Sequence, residues 1–416
     1  MIVGGGASGA ITAIALLQAG VSAESIEIAE PRQLLGTGLA YQTQDPHHRL
    51  NVPTGRMSAI EELPTDFTEW SNSPSYSFME RRNYGSYLRD RLGSGVCHIR
   101  EFIIDLATSP GGAVSATFAS GQVKSYAAVV LAMGHGKARV PDFLATVPES
   151  PRIIRDVWDG QALPESRTLI CFGTGLSFID VAMTHLSQDS RNSVIAISGS
   201  GNLPERHVQS PITPFTPTVE EVSTLAKLRN YLASAGESWR EAIDGLRPIT
   251  EAMWRGFTAE EREDFLRTDG SSWSRRRHRI APDVADQVEA EIAAGRITVV
   301  KGRASSVQAD AESITITLED KSEFIGDYLA ICIGRDYELS DPLTLNLLAE
   351  EKASRGPLGM GLSVDVVTGL LNRPDGTAYP QIFAIGPLRS GEAFESTAIP
   401  EIRKQAAAIA RSIFSA

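Results

Sequence analysis

Cysteine is nearly absent from this 416-residue chain, which has three, Cys97, Cys171 and Cys332, far apart and without a CxxC pair. That spacing argues against a dithiol relay and against a cysteine-based metal site. Positive charge is also short: 39 Lys and Arg face 51 Asp and Glu, for a net charge of -12. Such a surface suits neither nucleic acid nor anionic lipid. No apolar run reaches the roughly 18 residues that span a bilayer, and the opening MIVGGG has no charged leader. The expectation is a cytoplasmic protein with no nucleic-acid or membrane partner; an oligomer stays possible. GxSxG elbows and GK[ST] loops are missing as well. His47 and His48 are adjacent and would point to opposite sides of an extended segment, so no metal site is expected.

Glycine-rich turns are what the chain does have. Gly4, Gly6 and Gly9 stand at GxGxxG spacing between a short apolar run and a helical pattern. Glycine there permits a tight turn, close approach of a pyrophosphate and close helix packing. Ala7 and Ser8 lie at the helix N-terminus, whose partial positive charge favours phosphate. The next strand ends in Glu30, where a carboxylate can accept both ribose hydroxyls of a dinucleotide.

The plan then repeats. TLICFGTGLSFIDVAMTHL places Gly173, Thr174, Gly175 and Ser177 after a second apolar strand, and the strand after it ends in Ser198. GQVKSYAAVVLAMG, ending at Gly134, and DKSEFIGDYLAICIG, ending at Gly334, share one hairpin-then-buried-strand layout. The fold class is therefore α/β, with two Rossmann-like dinucleotide-binding domains, each carrying a β-meander, the second inserted in the first. Residues 1–149 and 336–416 form the first, and 150–335 the second, with a helical insertion over about 204–282. Two dinucleotides, one flavin and one nicotinamide, are the simplest reason for two such folds: hydride passes between them.

LGTGLAY (35–41), HRLNVPTGRMS (48–58), GTGLSFIDVA (173–182), WREAIDGLRPITEAMW (239–254), RRHRIAP (276–282) and AIGPLRSGEAFESTAIPEIRKQAA (384–407) resemble the FAD/NAD(P)-binding proteins of the YdhS type. The resemblance runs over essentially the whole chain. It implies a two-domain flavoprotein distantly like flavin-containing and N-hydroxylating monooxygenases, and urate hydroxylation is one activity among similar proteins. FAD is then the first cofactor, with Asn51, Arg56, Met57, Ser58 and Gly134 near it. A helix entered around Pro400 is implied to point its N-terminus at the flavin, where it would stabilise the anionic reduced ring, with Gly386, Ser396, Thr397 and Ala398 placed there. The resemblance also implies a basic pair after Ser198 for the 2′-phosphate of NADPH, where this chain has Gly199 and Ser200; NADH is expected over NADPH.

Arg275–Arg279, RRRHR, is either a solvated face or a rim where Arg277 or His278 meets phosphate or an anionic substrate. Arg56 and His278 are the candidate catalytic residues. The expected activity is NAD(P)H-dependent hydroxylation, using oxygen, of a small polar nitrogen-containing substrate. A flavin amine oxidase or dehydrogenase, with the second fold as scaffold, and a non-catalytic flavin- or NAD(H)-sensing regulator remain open alternatives.

Overall fold

A computed structural model describes residues 1–109, 111–337 and 339–414. Its first sheet runs Leu370–Asn372, Ala378–Ala384, Val129–Leu131, Ile2–Val3, Glu27–Ala29, Cys97–Ile99, and only the outermost Leu370–Asn372 strand is antiparallel. The second is wholly parallel, in the order Ile297–Lys301, Ser193–Ser198, Thr168–Phe172, Tyr328–Ile331, Ile153–Ile154. Continuous apolar strands such as Leu169–Cys171 and Val129–Leu131 suit positions covered on both faces.

Each sheet carries a three-stranded meander, and the two central strands show the same alternation. Val114, Ala116 and Phe118 point inward in one, and Ile314, Ile316 and Leu318 in the other. Period-two burial of this kind fixes register, because a slip of one residue would turn the apolar set outward.

The chain leaves the first sheet after Leu131 and rejoins its meander beyond Ile331, where the Pro342–Ala349 helix packs and Lys352 Nζ lies 2.7 Å from Asp105. The two crossing segments pair with each other: Ala138 bridges Arg335, the Arg139 N–H donates to Gly334 O (3.1 Å) and the Asp336 N–H to Lys137 O (2.9 Å). Side chains add a second tie between the two sheets. Arg81 Nη2 lies 2.7 Å from the buried Asp180, and His48 Nε2 lies 2.9 Å from Thr184 Oγ1.

Residues 204–282 are largely helical, with helices Leu225–Ser234, Trp239–Gly245, Thr250–Gly256, Ala259–Asp264 and Gly270–Arg277. Their core of Leu225, Leu228, Ile243, Met253, Trp254, Phe265 and Trp273 also takes in Phe394 from the C-terminal segment. Trp254 stacks on Phe394 at 4.5 Å and its indole N–H donates to Gly391 O. The insertion is thus anchored on the segment that leads into the last helix, and burial of a tryptophan of this kind contributes about 3–5 kcal/mol. That last helix, Ile399–Phe414, has Pro400 in its first turn and buries Ile402, Ala406, Ile409 and Ala410 beside Ala7–Gln18.

Candidate functional site

The first glycine loop is compressed between strand and helix. Gly4 has φ +100°, and a Cβ there would lie 2.5 Å from Ala132 O; one at Gly9 would lie 1.9 Å from Gly4 O. Gly6 caps the Ala7–Gln18 helix with no side-chain hydrogen bond, so the cap itself places no acceptor on the first-turn N–H donors. Two further turns close on this loop. The Gly36 N–H donates to Gly5 O (2.8 Å), and a Cβ on Gly38 would lie 3.2 Å from Gly6 Cα. Gly386, at φ +69°, would bring a Cβ within 2.9 Å of Ser8 Oγ. Ser396 Oγ donates to Gly386 O (3.0 Å) and Gln405 Oε1 accepts from the Gly386 N–H (2.9 Å). Thr397 and Ala398 follow at the helix entry. This glycine-only cradle at a helix N-terminus fits the pyrophosphate of a dinucleotide.

Glu30 lies at the end of the adjacent strand, buried, and accepts from the Gly5 N–H at 2.9 Å. Arg32 makes a two-pronged contact with the same carboxylate, at 2.8 and 2.9 Å. Burial would raise the Glu30 carboxyl, but the Arg32 bonds and charge together with the Gly5 N–H hold it below the usual carboxylate range. Sequence reasoning missed Arg32 and Gly38; the signal was a basic residue two positions past the acid and a second glycine pair at 36–38.

The 51–58 loop divides its residues. Asn51 O accepts from His207 Nε2 (3.0 Å), and Arg56 Nη1 lies 3.6 Å from Asp244 Oδ2. Met57 is buried in the core around the Ala7–Gln18 helix, and Ser58 Oγ donates to Leu63 O (2.6 Å), so that hydroxyl serves its own loop. Gly134, at φ +79°, has open space around its Cβ position where the chain leaves the sheet.

In the second loop Gly173 has φ +109°, and a Cβ there would lie 2.6 Å from Cys332 O. Thr174 Oγ1 donates to Ser198 Oγ (2.9 Å) and Asn202 O (2.7 Å), and Gly175 caps Leu176–Gln188 without a side-chain bond. Ser177 Oγ accepts from the Trp158 indole (3.2 Å), whose ring lies 5.3 Å beneath the Arg81 guanidinium. Ser198 is in register with Lys301 on the next strand, and Arg206 is held by Asp286 (2.7 Å) and Glu289.

The RRRHR run is not a solvated face. Arg277 and Arg279 are buried, because Trp273 and Arg277 share the inward side of the Gly270–Arg277 helix and Arg279 follows into the core. Arg279 pairs with Asp244, which also faces Arg247 at 3.6 Å; Arg277 Nη2 lies 3.3 Å from Glu401, and Arg247 Nη1 3.7 Å from the same oxygen. Burial would raise Asp244, but Arg279, Arg247, Arg56 and Arg277 hold it low. Burial, then Arg277, brings Arg247 down to about 9. Burial, then the Arg279 charge, lowers His207 to about 4, so it is neutral and donates through Nε2. His278 Nε2 lies 3.1 Å from Glu395, a residue at φ +63° whose buried side chain also accepts from the Trp273 indole. A non-glycine residue in that conformation is strained and persists only where its surroundings hold it.

Among the described residues no His, Cys, Asp and Glu group has the arrangement of a metal centre, and no helix is long and apolar enough to cross a membrane.

Residues 1–136 match a family model described as FAD-NAD(P)-binding. The comparison with curated proteins gives no match. Among solved structures, the reduced form of ornithine hydroxylase from Pseudomonas aeruginosa is similar at 15% identity and TM-score 0.65, covering 100% of this chain and 98% of that one. The ornithine N-hydroxylase of Kutzneria sp. 744, solved with reduced FAD, NADP+ and L-ornithine, aligns at 16% identity and TM-score 0.63, covering 99% and 97%. Bacillithiol disulfide reductase from Bacillus cereus aligns at 15% identity and TM-score 0.57, covering 100% and 98%. The chain has the two-dinucleotide-binding flavoprotein fold, with an FAD-NAD(P)-binding domain at its N-terminal end.

Proposed function

We propose that the protein is an FAD-dependent oxidoreductase that draws hydride from NAD(P)H and acts as a monooxygenase on a small, polar, nitrogen-containing substrate, with oxygen as electron acceptor. One observation carries this: two glycine cradles open helices beside parallel strands of two separate sheets, and the Gly386–Ser396 turn closes on the first beside the entry of the last helix. Ornithine hydroxylases and a cadaverine monooxygenase of Erwinia amylovora share the fold, which favours the monooxygenase reading over an amine oxidase.

When bound, FAD supplies the two-electron chemistry and the route to oxygen. Gly4, Gly6, Ala7, Ser8 and Gly9 would hold its pyrophosphate at the helix N-terminus, and Glu30 its ribose once Arg32 gives way. Ser396, Thr397 and Ala398 lead into the positive end of the Ile399–Phe414 helix, which would favour a reduced, anionic ring there. Gly173, Thr174, Gly175 and Ser177 would hold the nicotinamide coenzyme. Ser198 brings no charge to a 2′-phosphate and Arg206 is engaged elsewhere, so NADH is preferred; Lys301, in register with Ser198, is a cation that would oppose that preference. His278, fixed on Glu395, is the group placed to hold a proton near the helix entry, and Arg56 offers positive charge from the 51–58 loop.

The test is anaerobic reduction followed by oxygen. Purified protein carries stoichiometric FAD, bleaches with NADH faster than with NADPH, and reoxidises in air with hydroxylation or peroxide release. Protein that cannot be reconstituted with FAD would overturn the reading. Failure of both coenzymes to bleach bound flavin would overturn its NAD(P)H part and favour the amine oxidase.

A further inference from the structure

We propose that Arg56 and Arg247, backed by Arg277 and Arg279, form a binding site for the carboxylate of a small anionic substrate. The proposal deepens the oxidoreductase reading by naming a substrate class; binding of the anion itself does not depend on it.

The network joins four guanidinium groups, of Arg56, Arg247, Arg277 and Arg279, to three carboxylates, of Asp244, Glu395 and Glu401. Arg279 is fully buried and the Arg277 side chain is 2% exposed, yet Arg279 Nε and Nη1 have no hydrogen-bond partner, and Arg277 Nε, Arg247 Nε and Arg247 Nη1 face carboxylates only at 3.6–3.7 Å, beyond hydrogen-bond distance. Buried donors are normally satisfied, and guanidinium N–H groups left dry are among the costliest exceptions. An extra cation and several unmatched donors together call for a planar acceptor with delocalised negative charge, which a carboxylate supplies in the geometry that arginine matches.

Exposure divides the labour. The Arg56 side chain is 36% exposed and that of Arg247 14%, so these two can meet an incoming ligand. Arg277 and Arg279 are held behind them, Arg279 by Asp244 and at 5.9 Å from the Trp239 ring, Arg277 by Glu401 and Glu395. Arg56 comes from the 51–58 loop, Glu401 from the first turn of the last helix, and Asp244 and Arg247 from the insertion, so three segments converge beside the helix entry. An anion beside Arg247 would oppose the lowering that burial imposes on it.

The experiment titrates the purified holoprotein with acetate and with benzoate at fixed ionic strength, using acetamide and benzamide as neutral controls. Tryptophan fluorescence and the thermal midpoint are followed, with Trp239 as the nearby reporter. At least one carboxylate is expected to give a saturable response, with midpoint in the millimolar range, that its amide does not give. Arg247→Gln and Arg56→Gln each weaken it about tenfold, while Arg191→Gln, at an exposed residue paired with Asp189, leaves it unchanged. The wild-type titration needs no variant to fold. Coincident carboxylate and amide curves, no saturable response to either carboxylate, or a response to sulfate alone would overturn the proposal. Flavin content and bleaching by NAD(P)H are measured on the same sample. Loss of the carboxylate response with intact flavin reduction sinks only this inference, and a carboxylate response in protein that cannot take up FAD sinks only the oxidoreductase reading.

Discussion

In the first glycine loop a Cβ at Gly4 would lie 2.5 Å from the Ala132 carbonyl oxygen, and in the second a Cβ at Gly173 would lie 2.6 Å from that of Cys332. Both turns therefore press the chain against a neighbouring strand at the same point, and both open an uncapped helix. Five residues on, they part. Gly9 has Gly4 O at 1.9 Å from its Cβ position, whereas the second loop has Phe178 there, fully buried among Cys171, Ile179 and Ala182. The first helix needs a glycine where it meets its loop, and the second accommodates a buried ring at the matching position. The strand ends differ too: Glu30 is a buried carboxylate with donors from Gly5 and Arg32 already in place, and Ser198 is a neutral hydroxyl tied to Thr174. One repeat thus yields two loops with different demands, the first built around backbone approach and charge, the second around packing and neutral contacts.

Breaking the tight loop has the largest expected effect. Gly9→Val abolishes FAD retention and lowers the thermal midpoint, read from the visible spectrum and melting of the purified protein, because a backbone carbonyl cannot move aside as a side chain can. Phe178→Ala costs about 3–5 kcal/mol of stability in denaturant unfolding yet leaves FAD bound, since it removes core volume from the second sheet only. Glu30→Gln weakens FAD about tenfold in a reconstitution titration, by loss of a charged hydrogen bond, and Ser198→Ala changes the NADH KM by less than about threefold. Acidification tests the insertion side. His207 has a folded value near 4, below its unfolded one, so the unfolded chain binds more protons between about pH 6.5 and 4. Stability is full above that window and falls as pH drops through it, and His207→Gln flattens the melting profile there. The smallest effect concerns coenzyme choice: Lys301→Ala raises the NADPH KM about threefold or less and leaves that of NADH unchanged, as expected of an exposed charge.

The two loops, the repeated meander and the entry of the last helix near Pro400 were legible because each is written in local spacing. Glycine offsets, period-two strands and a proline in a first turn need no distant partner to be recognised. Glu30 was legible by its distance from Gly9, but not the fact that Arg32 would already lie on it. The RRRHR run showed charge density without showing burial, so a solvated face was as good a reading as a rim that meets phosphate or an anionic substrate. Asp244 and Arg247 carried no signal of their own. Their meaning comes from Arg279, 35 positions from Asp244, and from Glu401, which Arg277 meets across 124 positions.

By itself the sequence determined the periodicities: where strands and helices form, where glycine alone fits, and that one strand end is charged and the other neutral. Only the tertiary structure decided which charges meet and which stay unmatched. The physical reason is that local backbone preference is settled within a few residues, whereas a buried charge is tolerated only through partners that the fold brings from far along the chain.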